Sequence, residues 1–312
     1  MRFTICFLAA LVAGAFAQAV AFQQADPLFK RTEDVIYGRK FGTALTLDVY
    51  TPTKNANGAA VVVVLSGGWV SDHSFQENGF RARFADPMLK RGYAVFGVVH
   101  GCQPKFTIPE AVADVNRAVR FIRAHAKDYG IDPERIGICG ASAGGHLSLM
   151  QGMAGDLGNS TARDPIDRVS SRVQAVACFY PPTDFMNYGE KDKFAFDPNG
   201  TLKNYRTAMD IREKDSKTNQ LEHVSDEKLR EAARKISPLE HVTPDDPPTL
   251  IIHGDKDNLV PIQQAEALVA KLKEVNVPAE LVVKKGAAHG WQDVTADMEL
   301  LADWFDRYLK KK

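Results

Sequence analysis

The stretch Arg135-Ile136-Gly137-Ile138-Cys139-Gly140-Ala141-Ser142-Ala143-Gly144-Gly145-His146 decides how this chain folds. Its first five residues read as a short buried strand, and residues 145–150 begin an apolar run suited to a helix. Between them lies a G-x-S-x-G sequence, the pattern of a sharp strand-to-helix turn that presents a nucleophile. So tight a turn forces the serine into a strained backbone conformation, tolerable only where its neighbours carry little side chain. Gly140, Ala141, Ala143 and Gly144 meet that condition. The turn lifts the Ser142 hydroxyl above the sheet edge and aims unpaired helix N–H groups at developing negative charge. The plain alternative is a glycine-rich connection with an incidental serine, and the rest of the chain weighs against it.

Upstream, residues 34–38 and 44–50 look like antiparallel strands, and 59–65 is a β-branched run suited to a strand buried on both faces. That run empties into Ser66-Gly67-Gly68-Trp69. Residues 80–91 read as a helix, 93–99 as another buried strand ending at His100-Gly101, and 109–129 as an amphipathic helix. Downstream, strands at 173–180, 250–253 and 279–283 are interleaved with helices at 263–274 and 295–309. Such alternation predicts an α/β fold with a mostly parallel, doubly wound sheet in a single catalytic domain, 18–312. Residues 186–246 break the pattern. They are polar, rich in charge and too long for a simple connection, with one clear helix at 226–235, and we read them as a partial cap over the site.

The composition is that of an ordinary globular protein, with 45% hydrophobic and 25% charged residues and a formal net charge of zero. No basic block stands out beyond Lys310-Lys311-Lys312, so the sequence offers no sign of nucleic-acid or anionic-membrane binding. Arg2, the apolar run 3–17 and the ending Ala15-Phe16-Ala17 together read as a secretory signal peptide. Cleavage is expected after Ala17, with Ala21 as the second choice, giving a periplasmic or extracellular protein free of the membrane. Cys6 would leave with the leader, and Cys102, Cys139 and Cys178 form neither a disulfide framework nor a metal-ligand spacing. No cofactor and no metal is expected.

A serine alkoxide is unavailable at neutral pH, so a base must take the Ser142 proton. His146 follows one helical turn behind the serine, His223 and His241 lie in the polar insertion, and His253 ends a buried strand. His289 sits in the small-residue loop Gly286-Ala287-Ala288-His289-Gly290, free to reach over the sheet edge, and is the favoured base. The orienting carboxylate comes from the loop after 250–253: Asp257, further into the loop, is preferred, while Asp255 is better placed to stabilise the turn. Two N–H donors for an oxyanion are expected from Ala143 and from the Gly67-Gly68 loop.

Taken together, Ser66-Gly67-Gly68-Trp69, the elbow, Tyr180-Pro181-Pro182-Thr183-Asp184, Asp257 before Val260-Pro261 and His289-Gly290 resemble the α/β-hydrolase superfamily. Within it the chain is similar to esterases related to hormone-sensitive lipase, kynurenine formamidase and the exported feruloyl and acetyl-xylan esterases. The resemblance covers nearly everything from about residue 34 onward and implies a Ser142–Asp257–His289 triad. Where that group has a histidine before its glycines, this chain has Leu65, so the brace of the loop passes to Ser66 or His73. Where it ends a strand with Tyr-Arg, this chain has His100-Gly101, placing His100 either near the pocket or in the core. The implied activity is hydrolysis of small acyl esters, with a carbohydrate alcohol as one option. The rivals are an amidase, an exopeptidase of the prolyl-oligopeptidase type or an arylformamidase using the same triad, and a non-catalytic binding protein.

Overall fold

A computed structural model describes residues 28–77 and 84–311. The leader, with both cleavage positions, lies outside the described residues. Eight strands form one sheet: β1 (Phe29–Lys40), β2 (Thr43–Pro52), β3 (Ala60–Val64), β4 (Ala94–Val98), β5 (Ile136–Ala141), β6 (Ala175–Phe179), β9 (Thr249–Gly254) and β10 (Ala279–Lys284). Their spatial order is β1-β2-β4-β3-β5-β6-β9-β10. The β1–β2 hairpin and the β2–β4 pair are antiparallel, and every other pair in this sheet is parallel. β3, β4, β6 and β9 are buried along their whole length and β5 up to Gly140, which is why they read as continuous apolar runs rather than alternating ones.

Alternate residues of these strands supply two separate cores. Val62, Ile138, Val176 and Ile251 face α2 (Ile108–Ala124), α3 (Ala143–Ala154) and α5 (Gln263–Glu274). Val61, Cys139, Ala177 and Ile252 face α1 (Asp86–Lys90) and α6 (Thr295–Leu309). The period-2 geometry of a strand makes one sequence serve both layers.

One helix is shorter than the sequence reading, and another is described only in part. Of the helix expected over 80–91, α1 covers Asp86–Lys90 with Pro87 in its first turn, and residues 78–83 lie outside the described set. The helix expected to reach residue 129 ends at Ala124, and the turns that follow close with the Ile131 N–H donating to the Ala126 carbonyl at 2.9 Å.

The 186–246 segment holds a short ribbon, β7 (Arg212–Lys214) with β8 (Leu221–His223), and the helix α4 (Asp226–Lys235). Its entry is held by polar groups wholly inside the protein. Gln264 accepts from the Thr183 N–H at 2.8 Å and the Asp184 N–H at 2.7 Å, while its amide donates to the Asn187 carbonyl at 3.2 Å. Asp184 in turn caps the Met186 and Asn187 N–H groups. Beyond this clamp, Phe185, Phe194 and Phe196 pack into the α2/α3 core, so the segment is docked by apolar burial despite its polar composition. Among the described residues no helix is long and apolar enough to cross a membrane.

Gln264→Ala leaves two buried N–H groups without an acceptor, and should lower stability by about 2–4 kcal/mol in urea unfolding.

Candidate active site

The C-terminal ends of the parallel strands bring the site together. Ser142, between β5 and α3, adopts φ 53° and ψ −120°, outside the regions open to an ordinary L residue. Its N–H donates to the Phe179 carbonyl at 2.9 Å, and its carbonyl accepts from the His146 N–H at 2.9 Å. Glycine flanks it for a steric reason: a Cβ at Gly144 would strike the Val64 carbonyl, and one at Gly140 would strike the backbone of Gly144. Helix and sheet therefore approach at backbone distance here.

His289 Nε2 lies 2.9 Å from Ser142 Oγ, and His289 Nδ1 lies 2.7 Å from Asp257 Oδ2. A carboxylate only accepts, so Nδ1 carries the hydrogen and Nε2 presents its lone pair to the hydroxyl. The structure thus brings Ser142, His289 and Asp257 into one row. Asp255 instead accepts from the Gly286 N–H at 2.6 Å and pins the loop that carries His289. His253 is structural: its Nε2–H donates to the Val260 carbonyl at 2.8 Å, with Asp257 Oδ2 3.4 Å away.

Burial works against ionising Asp257, but hydrogen bonds from His253, His289 and the Val260 N–H outweigh it and hold this carboxyl well below the usual carboxylate range. The Leu259 and Val260 N–H groups reach its Oδ1 at 2.9 and 2.8 Å, fixing which oxygen faces the imidazole.

The two glycines of the oxyanion loop are not equivalent. The Gly67 N–H, expected as a donor, is taken by the Val70 carbonyl at 2.9 Å, closing a tight turn in which the Val70 N–H returns to the Gly67 carbonyl at 3.0 Å. Of the other expected donors, Gly68, at φ 56°, and Ala143, at the start of α3, line the same cavity as Ser142. The brace of this loop is neither Ser66 nor His73. His73 stands 3.4 Å from Asp48, and the Ser66 hydroxyl meets no partner among the described residues. Instead, the Trp69 Nε1–H donates to His146 Nδ1 at 3.1 Å, and His146 Nε2–H donates to the Ile236 carbonyl at 2.7 Å. Burial holds the His146 pKa down to about 4, so it is neutral and able to accept from the indole. Ser71 Oγ–H adds a bond to the Leu65 carbonyl at 2.5 Å, and Gln103 donates to the Gly68 carbonyl at 2.7 Å. The sequence signal for His146 was its place one turn behind the serine; the partner Trp69, 77 residues upstream, was not legible.

These groups open into a cavity of about 370 Å³ whose wall includes Tyr180, Leu259 and, from the 186–246 segment, Leu202 and Tyr205. His100 does not line it: that side chain is buried beside β4, in a neighbouring cavity. Asp34, Asp48 and His73 place ligand atoms within 4.8 Å of one another, but the Arg31 guanidinium sits 2.7 Å from Asp48 and opposes a cation there.

The sheet order, the elbow and the serine–histidine–aspartate row define an α/β-hydrolase fold. Residues 47–272 match the BD-FAE family, and the chain belongs to it. It is similar to a probable carboxylic ester hydrolase, LipM, of Mycobacterium tuberculosis, with 29% identity over 78% of this chain and 52% of that protein. The chain spans little more than half the length of the curated relatives it matches first, 52% to 59%. Among solved structures, a truncated carbohydrate esterase from gut microbiota superposes with a TM-score of 0.72 at 25% identity, covering 91% of this chain and 98% of that one. Esterase 2 of Thermogutta terrifontis, phosphonylated by sarin, gives a TM-score of 0.67 at 26% identity, covering 88% and 93%.

Two outcomes test this geometry. Trp69→Phe deletes one N–H and leaves His146 Nδ1 unpaired, so kcat should fall about tenfold with KM little changed, in steady-state kinetics on p-nitrophenyl acetate. Because Asp257 is depressed in the folded state, its stabilisation is present above the unfolded carboxyl's pKa and is lost as pH falls through the folded value. The stability deficit of Asp257→Asn should thus be full at neutral pH and shrink below about pH 4 in urea titrations.

Proposed function

We propose that this protein is a serine carboxylesterase that removes small acyl groups from esters, including esters of carbohydrates. The observation that carries the reading is the unbroken row Asp257–His289–Ser142 at the mouth of a cavity of about 370 Å³. Neutral His289 takes the Ser142 proton as Oγ attacks the ester carbonyl. The N–H groups of Gly68 and Ala143, backed by the N-terminus of α3, stabilise the oxyanion. Asp257 steadies the imidazolium, which then protonates the departing alcohol. Water repeats the cycle on the acyl-enzyme.

Support comes from three directions. A protein of the same fold at 26% identity is phosphonylated by sarin, a reagent that reacts with an activated serine. The names of LipM and of the gut carbohydrate esterase point to ester substrates, the latter to carbohydrate ones. The wall formed by Tyr180, Leu202, Tyr205 and Leu259 leaves space suited to a short acyl chain, with the 186–246 segment acting as a partial cap. The leader reading at 1–17 completes the proposal with an exported enzyme, testable by N-terminal sequencing of the protein from culture.

Ser142→Ala should lower turnover of p-nitrophenyl acetate by about 10⁴-fold or more and abolish labelling by a fluorophosphonate, with an unchanged circular-dichroism spectrum. Retention of most activity in that variant would rule the mechanism out, and faster turnover of a matched anilide would move the reading to an amidase.

A further inference from the structure

Tyr205, from the 186–246 segment, touches both the catalytic cavity and the loop that carries Gly68. Its side chain lines the cavity, and one edge of its ring lies against Gly68. A methyl group in place of the Gly68 hydrogen would stand 2.4 Å from Tyr205 Cε1 and 2.8 Å from Cδ1. Carbon atoms rest about 3.5–4.0 Å apart, so not even a methyl group fits between the ring and this face of the glycine. The same ring meets the Trp69 indole in a T-shaped contact with centroids 6.2 Å apart.

The surfaces around the ring are tied down. Tyr205 belongs to the tight turn Lys203–Met209, and its N–H donates to the Leu202 carbonyl at 2.9 Å. Leu202 is buried, and its own N–H donates to the Ala195 carbonyl at 2.9 Å, between the core residues Phe194 and Phe196. On the facing side, the bond to His146 fixes Trp69, and the Gln103 amide holds the Gly68 carbonyl. The cavity therefore ends in a hard wall where Tyr205 meets the oxyanion loop.

The chemistry fixes which part of an ester meets that wall, and this step rests on the esterase reading. Once Ser142 Oγ has attacked, the former carbonyl carbon carries four groups: Oγ, the oxyanion, the departing oxygen and the acyl chain. His289 protonates the departing oxygen, so the alcohol lies on the imidazole side. The oxyanion faces the Gly68 and Ala143 N–H groups. The acyl chain takes the direction that remains, away from His289 and along the oxyanion loop. We propose that Tyr205 sets the acyl length this enzyme accepts, its ring stopping the chain where it meets Gly68. The other side chains of this wall, Leu202 among them, are apolar and suit an alkyl chain up to that stop.

The test compares kcat/KM for p-nitrophenyl octanoate with that for p-nitrophenyl butyrate, which share one leaving group. Tyr205→Ala should raise this ratio about tenfold or more, the worth of roughly two newly buried methylenes. Tyr205→Phe keeps the ring and should keep the parent's ratio. The ratio of 4-methylumbelliferyl acetate to p-nitrophenyl acetate varies the alcohol alone and should not respond to Tyr205→Ala. Tyr205→Leu retains apolar cover over the core and should shift the octanoate ratio the same way by about threefold or more, which decides the matter if the alanine variant does not fold. A residue that merely supports the fold would lower both chain lengths together. Equal losses for octanoate and butyrate, or a shift confined to the alcohol series, would overturn the proposal. A parent enzyme that hydrolyses none of these esters ends the esterase reading and this inference with it. An active parent whose octanoate ratio ignores Tyr205 ends this inference alone.

Discussion

The close approach of α3 to the sheet at Gly140 and Gly144 is the constraint on which the rest of the structure depends. With no Cβ at either position, the backbone following Ser142 passes directly under the Val64 carbonyl, and the serine is held at φ 53°. That conformation is unfavourable alone and persists because β3, β5 and β6 are fixed on both sides of it by parallel pairing and two cores. The strain is local, and its support is spread over the whole sheet.

Around that point, three parts of the chain are tied by neutral hydrogen bonds. Trp69 in the oxyanion loop, His146 on the elbow helix and Ile236 at the end of α4 form one buried chain. The 186–246 segment is therefore coupled to the loop that carries Gly68, besides supplying Leu202 and Tyr205 to the cavity wall. A histidine kept neutral by burial serves here as a mechanical link, while His289, at the cavity mouth and bonded to a depressed carboxylate, keeps access to the reacting serine.

Local signals were enough wherever the chemistry was local. Small residues around Ser142 announced the turn, and the continuous run at 59–65 announced a strand buried on both faces. The loop after β9 offered two aspartates, and the distinction between them follows from reach: Asp255 pins the Gly286 turn, whereas Asp257 reaches His289. The loop brace was misread because its partner, His146, lies 77 residues from Trp69, and no spacing rule joins an indole in one loop to an imidazole in a distant helix. Gly67 was misread as a donor because a sequence cannot say that Val70 turns back to take its N–H.

By itself the sequence determined the alternation of strands and helices, the strained serine turn and the three residue types of the relay. Periodicity and steric tolerance act over neighbouring residues, so they are written along the chain. Only the tertiary structure decided that Val70 takes the Gly67 N–H, that Trp69 and His146 brace this loop, and that His100 is buried in the neighbouring wall rather than at the catalytic cavity. Each of these depends on partners brought together by packing, and packing is a property of the whole sheet rather than of any segment.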